Sequence, residues 1–164
     1  MAVDMFMKFD DTKIKIEGES QDAKHTKEVD VLSWSWGMSN SGSAHMGSGA
    51  GAGKVNVQDL TFTKYVDKAT PKLMLACCQG NHLAEVTLAV RKAGSKPLEY
   101  LKIRMFGVLI TSFATGGTGT DDRLTEKVTL NFGRVLVDYV PQKPDGSGDT
   151  AIPMSWDIAA NTSK

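Results

Sequence analysis

The sequence is short of several things, and each shortage removes a class of function. Its two cysteines, Cys77 and Cys78, are adjacent. Neighbours on a helix point about 100° apart, so the pair is badly placed to bridge, and it reads as two small buried or half-buried thiols in a reducing compartment. Net charge is missing too: 19 basic residues balance 19 acidic ones. No global field therefore draws nucleic acid or an anionic membrane surface. The longest apolar run, Met105 to Ile110, falls far below the roughly 20 residues that span a bilayer. Met1 to Lys8 carries an acid at Asp4 and no apolar stretch, so no Sec-type signal peptide is expected.

Catalytic and cofactor motifs are also lacking. His25, His45 and His82 are scattered, none within HExxH or at ligand spacing from a cysteine, and read as surface or loop imidazoles. Ser48 has no GxSxG context. The stretch Gly49 to Val55 suggests a phosphate loop, but that motif needs Gly at 48 and Ser or Thr at 55, where Ser48 and Val55 stand. A looser match at Gly47, Gly49 and Ala52 is followed by strand character rather than the helix that holds a phosphate. Asp121 and Asp122 sit beside glycine in a turn, where Asp bonds locally. No metal or cofactor is called for, and the chain does not read as an enzyme.

What is present is a strand-rich chain of 164 residues, 41% apolar and 23% charged, read as one domain over residues 1–164. Alternation marks strands at Val3–Phe9, Lys13–Glu17, Glu28–Met38, Val55–Val66, Ala84–Arg91, Tyr100–Phe113, Leu124–Tyr139 and Ile152–Ile158, with a loop at Pro141–Asp149. In the third of these, Leu32, Trp34 and Trp36 share one face and Ser33 and Ser35 the other. Gly37–Gly53 holds six glycines and four serines without periodicity and reads as a long extended loop. One helix is expected over Thr70–Gln79: Thr70 as N-cap, Pro71 at the first position, Leu73, Met74 and Cys77 on the packed face, Gly80 as the stop. In two strands the apolar parity flips at a glycine, from Met105 to Val108 across Gly107 and from Phe132 to Val135 across Gly133. A bulge or a plain strand–turn–strand break at each glycine accounts for the flip. The fold class is mainly β: a two-sheet barrel or sandwich with one packed α-helix and the Gly-rich loop.

The order of segments resembles a known family. Glu28-Val29-Asp30-Val31-Leu32-Ser33-Trp34-Ser35-Trp36-Gly37-Met38-Ser39, Gly51 to Tyr65 (GAGKVNVQDLTFTKY), Thr70-Pro71 with Leu73 to Cys77, Arg91 to Gly94, and Asp122 to Phe132 are similar to the Hcp tube proteins of type VI secretion. Asp10–Glu17 and Asp145–Lys164 depart from that pattern. The resemblance implies hexameric rings that stack into an expelled inner tube. Its partners would be further copies of the chain, a spike protein, a contractile sheath and small effector proteins carried in the lumen. It further implies assembly in the bacterial cytoplasm and export without a cleaved signal, with no nucleic acid and no membrane insertion. On that basis Ser33 and Ser35 are candidate lumen-facing residues, and Trp34 and Trp36 are candidates for the core or a subunit contact. Gly42, Ser43, His45, Met46, Gly47, Gly49 and Gly51 are candidates for contact between rings, since so few side chains contribute little to a core. The alternative is a monomeric β-sandwich that binds peptide or carbohydrate on Trp34, Trp36 or Trp156.

Overall fold

In the computed structural model, which describes residues 2–42, 45 and 53–163, alternating apolar residues build ten strands and one helix. They run β1 Val3–Asp10, β2 Val29–Ser35, β3 Met38–Ser39, β4 Asn56–Val57, β5 Leu60–Tyr65, α1 Thr70–Gln79, β6 His82–Lys92, β7 Leu98–Gly116, β8 Thr125–Asn131, β9 Arg134–Tyr139 and β10 Ile152–Asp157. The main sheet has the order β10-β9-β7-β6-β1-β2-β5-β8, and β8 returns to pair with β7. Six strands thus close a barrel, while β9 and β10 extend it as a wing from the first half of β7. The long β7 serves both, pairing with β9 through Leu101–Phe106 and with β8 through Leu109–Gly116. Among the described residues no strand pairs with the outer edge of β10, which is met only by a bridge from Asp157 to Thr162; Pro153 on this strand lies opposite Asp138. A separate two-stranded ladder, β3 with β4, forms the root of the Gly-rich loop.

Inward residues of the six barrel strands, among them Met7, Val29, Phe62, Val86, Ile103 and Val128, fill the interior. Each such side chain contributes about 1.5–3 kcal/mol relative to its exposed state. Helix α1 lies against β7, burying Leu73 and Ala76 with Cys77 half-buried. Met74, expected on that face, is 42% exposed, and Cys78 is exposed as well. Gly80, at φ 63°, stops the helix as expected; its amide and that of Asn81 cap the last carbonyls. The N-cap is Ala69 rather than Thr70, because the Thr70 hydroxyl is drawn to the Glu126 carboxylate at 2.7 Å.

Other boundaries move for identifiable reasons. Lys13–Glu17 forms no strand: Asp11 Oδ1 accepts the amides of Lys13 and Ile14, making a local turn instead. The third expected strand ends at Ser35, and a bulge between Val31 and Ser33 takes Leu32 off the tryptophan face, leaving it 38% exposed. Val55–Val66 divides into β4 and β5, and Leu124–Tyr139 into β8 and β9.

The parity flips at Gly107 and Gly133 are real, but the pairing does not slip there. One unbroken register on either side sets Gly107 opposite both Ala84 of β6 and Gly133. In β6 the buried set changes parity at the same level, from Leu83 to Val86. Three neighbouring strands therefore exchange faces together along one crease, at which Gly107 adopts φ +63°. The slips lie elsewhere, at Leu32, Tyr100 and Thr111.

Candidate assembly surfaces

Strands β2, β5, β8 and the end of β7 point their alternate residues out of the barrel. Ser33 and Ser35 are exposed, while Trp34 and Trp36 are half-buried and pack against the core. The registers join these serines to two rows that cross four strands. Ser35 lies opposite Thr61, Thr61 opposite Thr129, and Thr129 opposite Ser112. In the next row Ser33 faces Thr63, Thr63 faces Lys127, and Lys127 faces Ala114. Both rows are small and hydroxyl-rich, with Lys127 their one large side chain. The Thr61 and Thr129 hydroxyls bond each other at 3.1 Å. Beyond them Asp59 accepts hydrogen bonds from Asn131 (2.8 Å) and Thr111 (3.1 Å). A shallow depression of about 390 Å³ opens on this wall, lined by Thr63, Ala114, Gly116, Thr125 and Lys127 among others. Of this surface, only Ser33 and Ser35 are candidates on sequence alone. The alternation of Thr61 and Thr63 with Leu60 and Phe62, and of Thr129 with Val128 and Leu130, was visible, but the pairing that makes a surface was not.

A second surface is apolar. Trp36, Met38, Val55, Val57, Val135, Met154 and Trp156 line an open hollow of about 140 Å³ where the loop root meets the wing. Met38 and Met154 are 45% and 38% exposed. Trp36 donates its indole N–H to the Gln58 carbonyl at 2.8 Å and lies 6.0 Å, centroid to centroid, from Phe132. Of the loop candidates, Gly42 and His45 are exposed, whereas Ser43, Met46, Gly47, Gly49 and Gly51 lie outside the described residues. The loop root is tied by the Gly53 amide to the Ser41 carbonyl at 3.2 Å.

Several titratable groups are engaged in ion pairs that fasten segments together. His25, expected at the surface, is buried: it stacks on Phe6 with Nδ1 2.7 Å from Glu28 and Nε2 2.6 Å from Glu99. Arg91 joins Asp4 and Asp22, and this hydrogen-bonded guanidinium holds the Asp22 carboxyl well below the usual carboxylate range. Lys64 is fully buried between Asp67 (2.9 Å) and Glu126 (3.2 Å). A groove of about 470 Å³ lined by Lys8, Glu85, Lys102, Arg104 and others is lined by charges of both signs, with Arg104 on Glu85 at 2.8 Å. Among the described residues no group of three or more His, Cys, Asp or Glu is placed to hold a metal ion, and no helix is long and apolar enough to cross a membrane.

The same overall fold recurs in solved proteins. Residues 6–139 match the family model described as type VI secretion system effector, Hcp. The chain is 60% identical over 163 residues to Protein hcp1 of Pseudomonas aeruginosa, covering 98% of each. The chain belongs to the Hcp family. Among solved structures, one titled a type six secretion system protein superposes with TM-score 0.91 at 31% identity, covering 99% of this chain and all of that one. Hcp1 from Salmonella typhimurium superposes with TM-score 0.80 at 35% identity over the whole of both chains. This Hcp is therefore a structural protein of type VI secretion, a secreted β-barrel protein of that system.

Proposed function

We propose that this Hcp assembles into hexameric rings that stack as the inner tube of a type VI secretion machine, with the face of β2, β5, β8 and β7 lining the lumen. The carrying observation is the pair of cross-strand rows. A barrel face whose two rows are small and hydroxyl-rich, with Leu32 at the β2 bulge as the exposed apolar exception, is poorly suited to core or subunit contact. It leaves room for passing effector proteins. The apolar hollow at Trp36, Met38, Met154 and Trp156 has the opposite character and serves contact between copies, as exposed apolar patches commonly do. Residues 1–164 act as one tube unit, the Gly37–Gly53 loop bears on the next ring, and a spike and a sheath are the further partners. The chain is assembled in the cytoplasm and leaves without a cleaved signal. As a monomeric peptide or sugar binder it would use a flat aromatic platform, whereas Trp34, Trp36 and Trp156 are all half-buried against the core, the last two with an edge in the apolar hollow.

The test is mass in solution followed by cargo retention. Light scattering on the purified chain should give a closed multiple of its 17.7 kDa mass without ligand or metal, and negative-stain images should show rings. Ser35→Gln should keep the ring and reduce retention of effector. Monomer alone at micromolar concentration overturns the ring; unfolding of Ser35→Gln overturns the lumen face.

A further inference from the structure

The hydroxyl wall carries a charge that its surroundings do not neutralise. Lys127 is exposed at the centre of the second row, between Thr63 on β5 and Ala114 on β7. It takes part in none of the ion pairs among the described residues. The acids near it are otherwise engaged. Glu126 also borders the depression, but its carboxylate is fully buried against Lys64 and Thr70. Asp59, two rows away, is held by Asn131 and Thr111. Arg123, four residues before Lys127, has its guanidinium 3.8 Å from the centroid of the Tyr65 ring. Lys127 also lines the depression of about 390 Å³, beside Thr63 and Thr125. An ammonium group flanked by hydroxyls within a concavity offers hydrogen-bond donors to a carboxylate, and the apolar part of the lining, Ala114 among it, presents no large side chain to compete.

We infer that Lys127 and the Thr63–Thr125 depression make this wall a receptor for carboxylate side chains, so that the cargo it retains presents an acidic surface. The inference rests on the lumen assignment made above. One such contact is weak, because an exposed ion pair contributes little. Ring symmetry multiplies it: every copy adds a Lys127 at the same height, so an acidic cargo meets a belt of cations and binds by many weak contacts at once. Such a belt holds a passenger yet lets it go, which one strong site would not.

The experiment uses the full assembled chain and two probes of equal length, fluorescein-labelled polyglutamate and polylysine, followed by anisotropy at low and physiological salt. Wild-type rings should bind polyglutamate at least about tenfold more tightly than polylysine at low salt, with the preference shrinking as salt screens it. K127Q should abolish the preference, and K127E should reverse it. K96E makes the same charge change at an exposed residue in the turn between β6 and β7, and should leave the preference intact. The inference is overturned if polyglutamate preference survives K127Q with rings intact, or if K96E shifts it as far as K127E does. K127Q covers the case in which K127E does not assemble. Light scattering on the same samples keeps the two readings apart: a monomeric wild type defeats the ring, and the Lys127 preference is then decided on that monomer.

Discussion

At the residue scale the least expected group is Lys64. Its side chain is fully buried on β5, in register with Glu126 on β8, and its ammonium also meets Asp67 and the Thr70 hydroxyl. Thr70 in turn donates to Glu126 Oε1, so a strand, a neighbouring strand and the first residue of α1 are joined at one point. Removing one member of a buried pair leaves the other charge without compensation. Lys64→Met should lower the unfolding free energy by about 3–5 kcal/mol, read as a reduced urea midpoint. Lys64→Met combined with Glu126→Leu should recover much of that loss; a single variant as stable as wild type would show that the pair is not under strain from desolvation. Parity places Lys64 on the inward side with Leu60 and Phe62, and Glu126 with Val128 and Leu130, so half of this was written in the chain. That the two meet was not, because their separation of 62 positions is bridged only by strand pairing. His25 was missed for the same reason: its partner Glu99 lies 74 residues away.

At the scale of elements, the crease through Ala84, Gly107 and Gly133 lets β7 belong to barrel and wing without losing its ladders. Gly107 is the residue whose backbone demands it. At φ +63° a Cβ meets no neighbouring atom within 4 Å, so the obstacle is conformational rather than steric. Gly107→Ala should destabilise by about 1–2 kcal/mol in chemical denaturation. Gly133→Ala, where φ is not positive and the nearest atom is the Phe106 carbonyl at 3.9 Å, should lose less. Equal losses at the two sites would remove the backbone explanation. The sequence revealed both flips, since hydrophobic parity is a local property. It left a bulge and a strand–turn–strand break open at each glycine; a break between β8 and β9 is found at Gly133, whereas β7 runs unbroken through Gly107, and that depends on pairing with neighbouring strands. The true slips at Leu32, Tyr100 and Thr111 left no glycine and no break in composition to mark them.

At the scale of the molecule the loop is the test of what lies beyond a single subunit. Gly37–Gly53 departs from the short β3–β4 ladder and supplies few side chains for a core. Shortening Gly42–Gly51 should leave the melting temperature and the ring mass unchanged and shorten the tubes seen by microscopy. Closure entropy varies by only about 0.6 kcal/mol per doubling of loop length, so a large loss of stability is not expected. Tubes of full length from the shortened chain would make the loop a bystander. Fold class and family were legible because the apolar alternation and the Trp34–Gly37, Val55–Tyr65 and Asp122–Phe132 segments are contiguous in the chain. The hydroxyl wall was legible only at its first strand, for it is a product of register.

Barrel closure has a further effect, on how the protein fares while it waits to be used. Six strands hide their edges in one another, and the eight-strand order then ends at β10. An open edge invites runaway pairing with any stray strand, the first step of fibrous aggregation. Here the invitation is interrupted near the start of the strand by Pro153, which has no N–H to donate. The edge most open to stray pairing is in this way blunted, which favours a dispersed chain at high concentration.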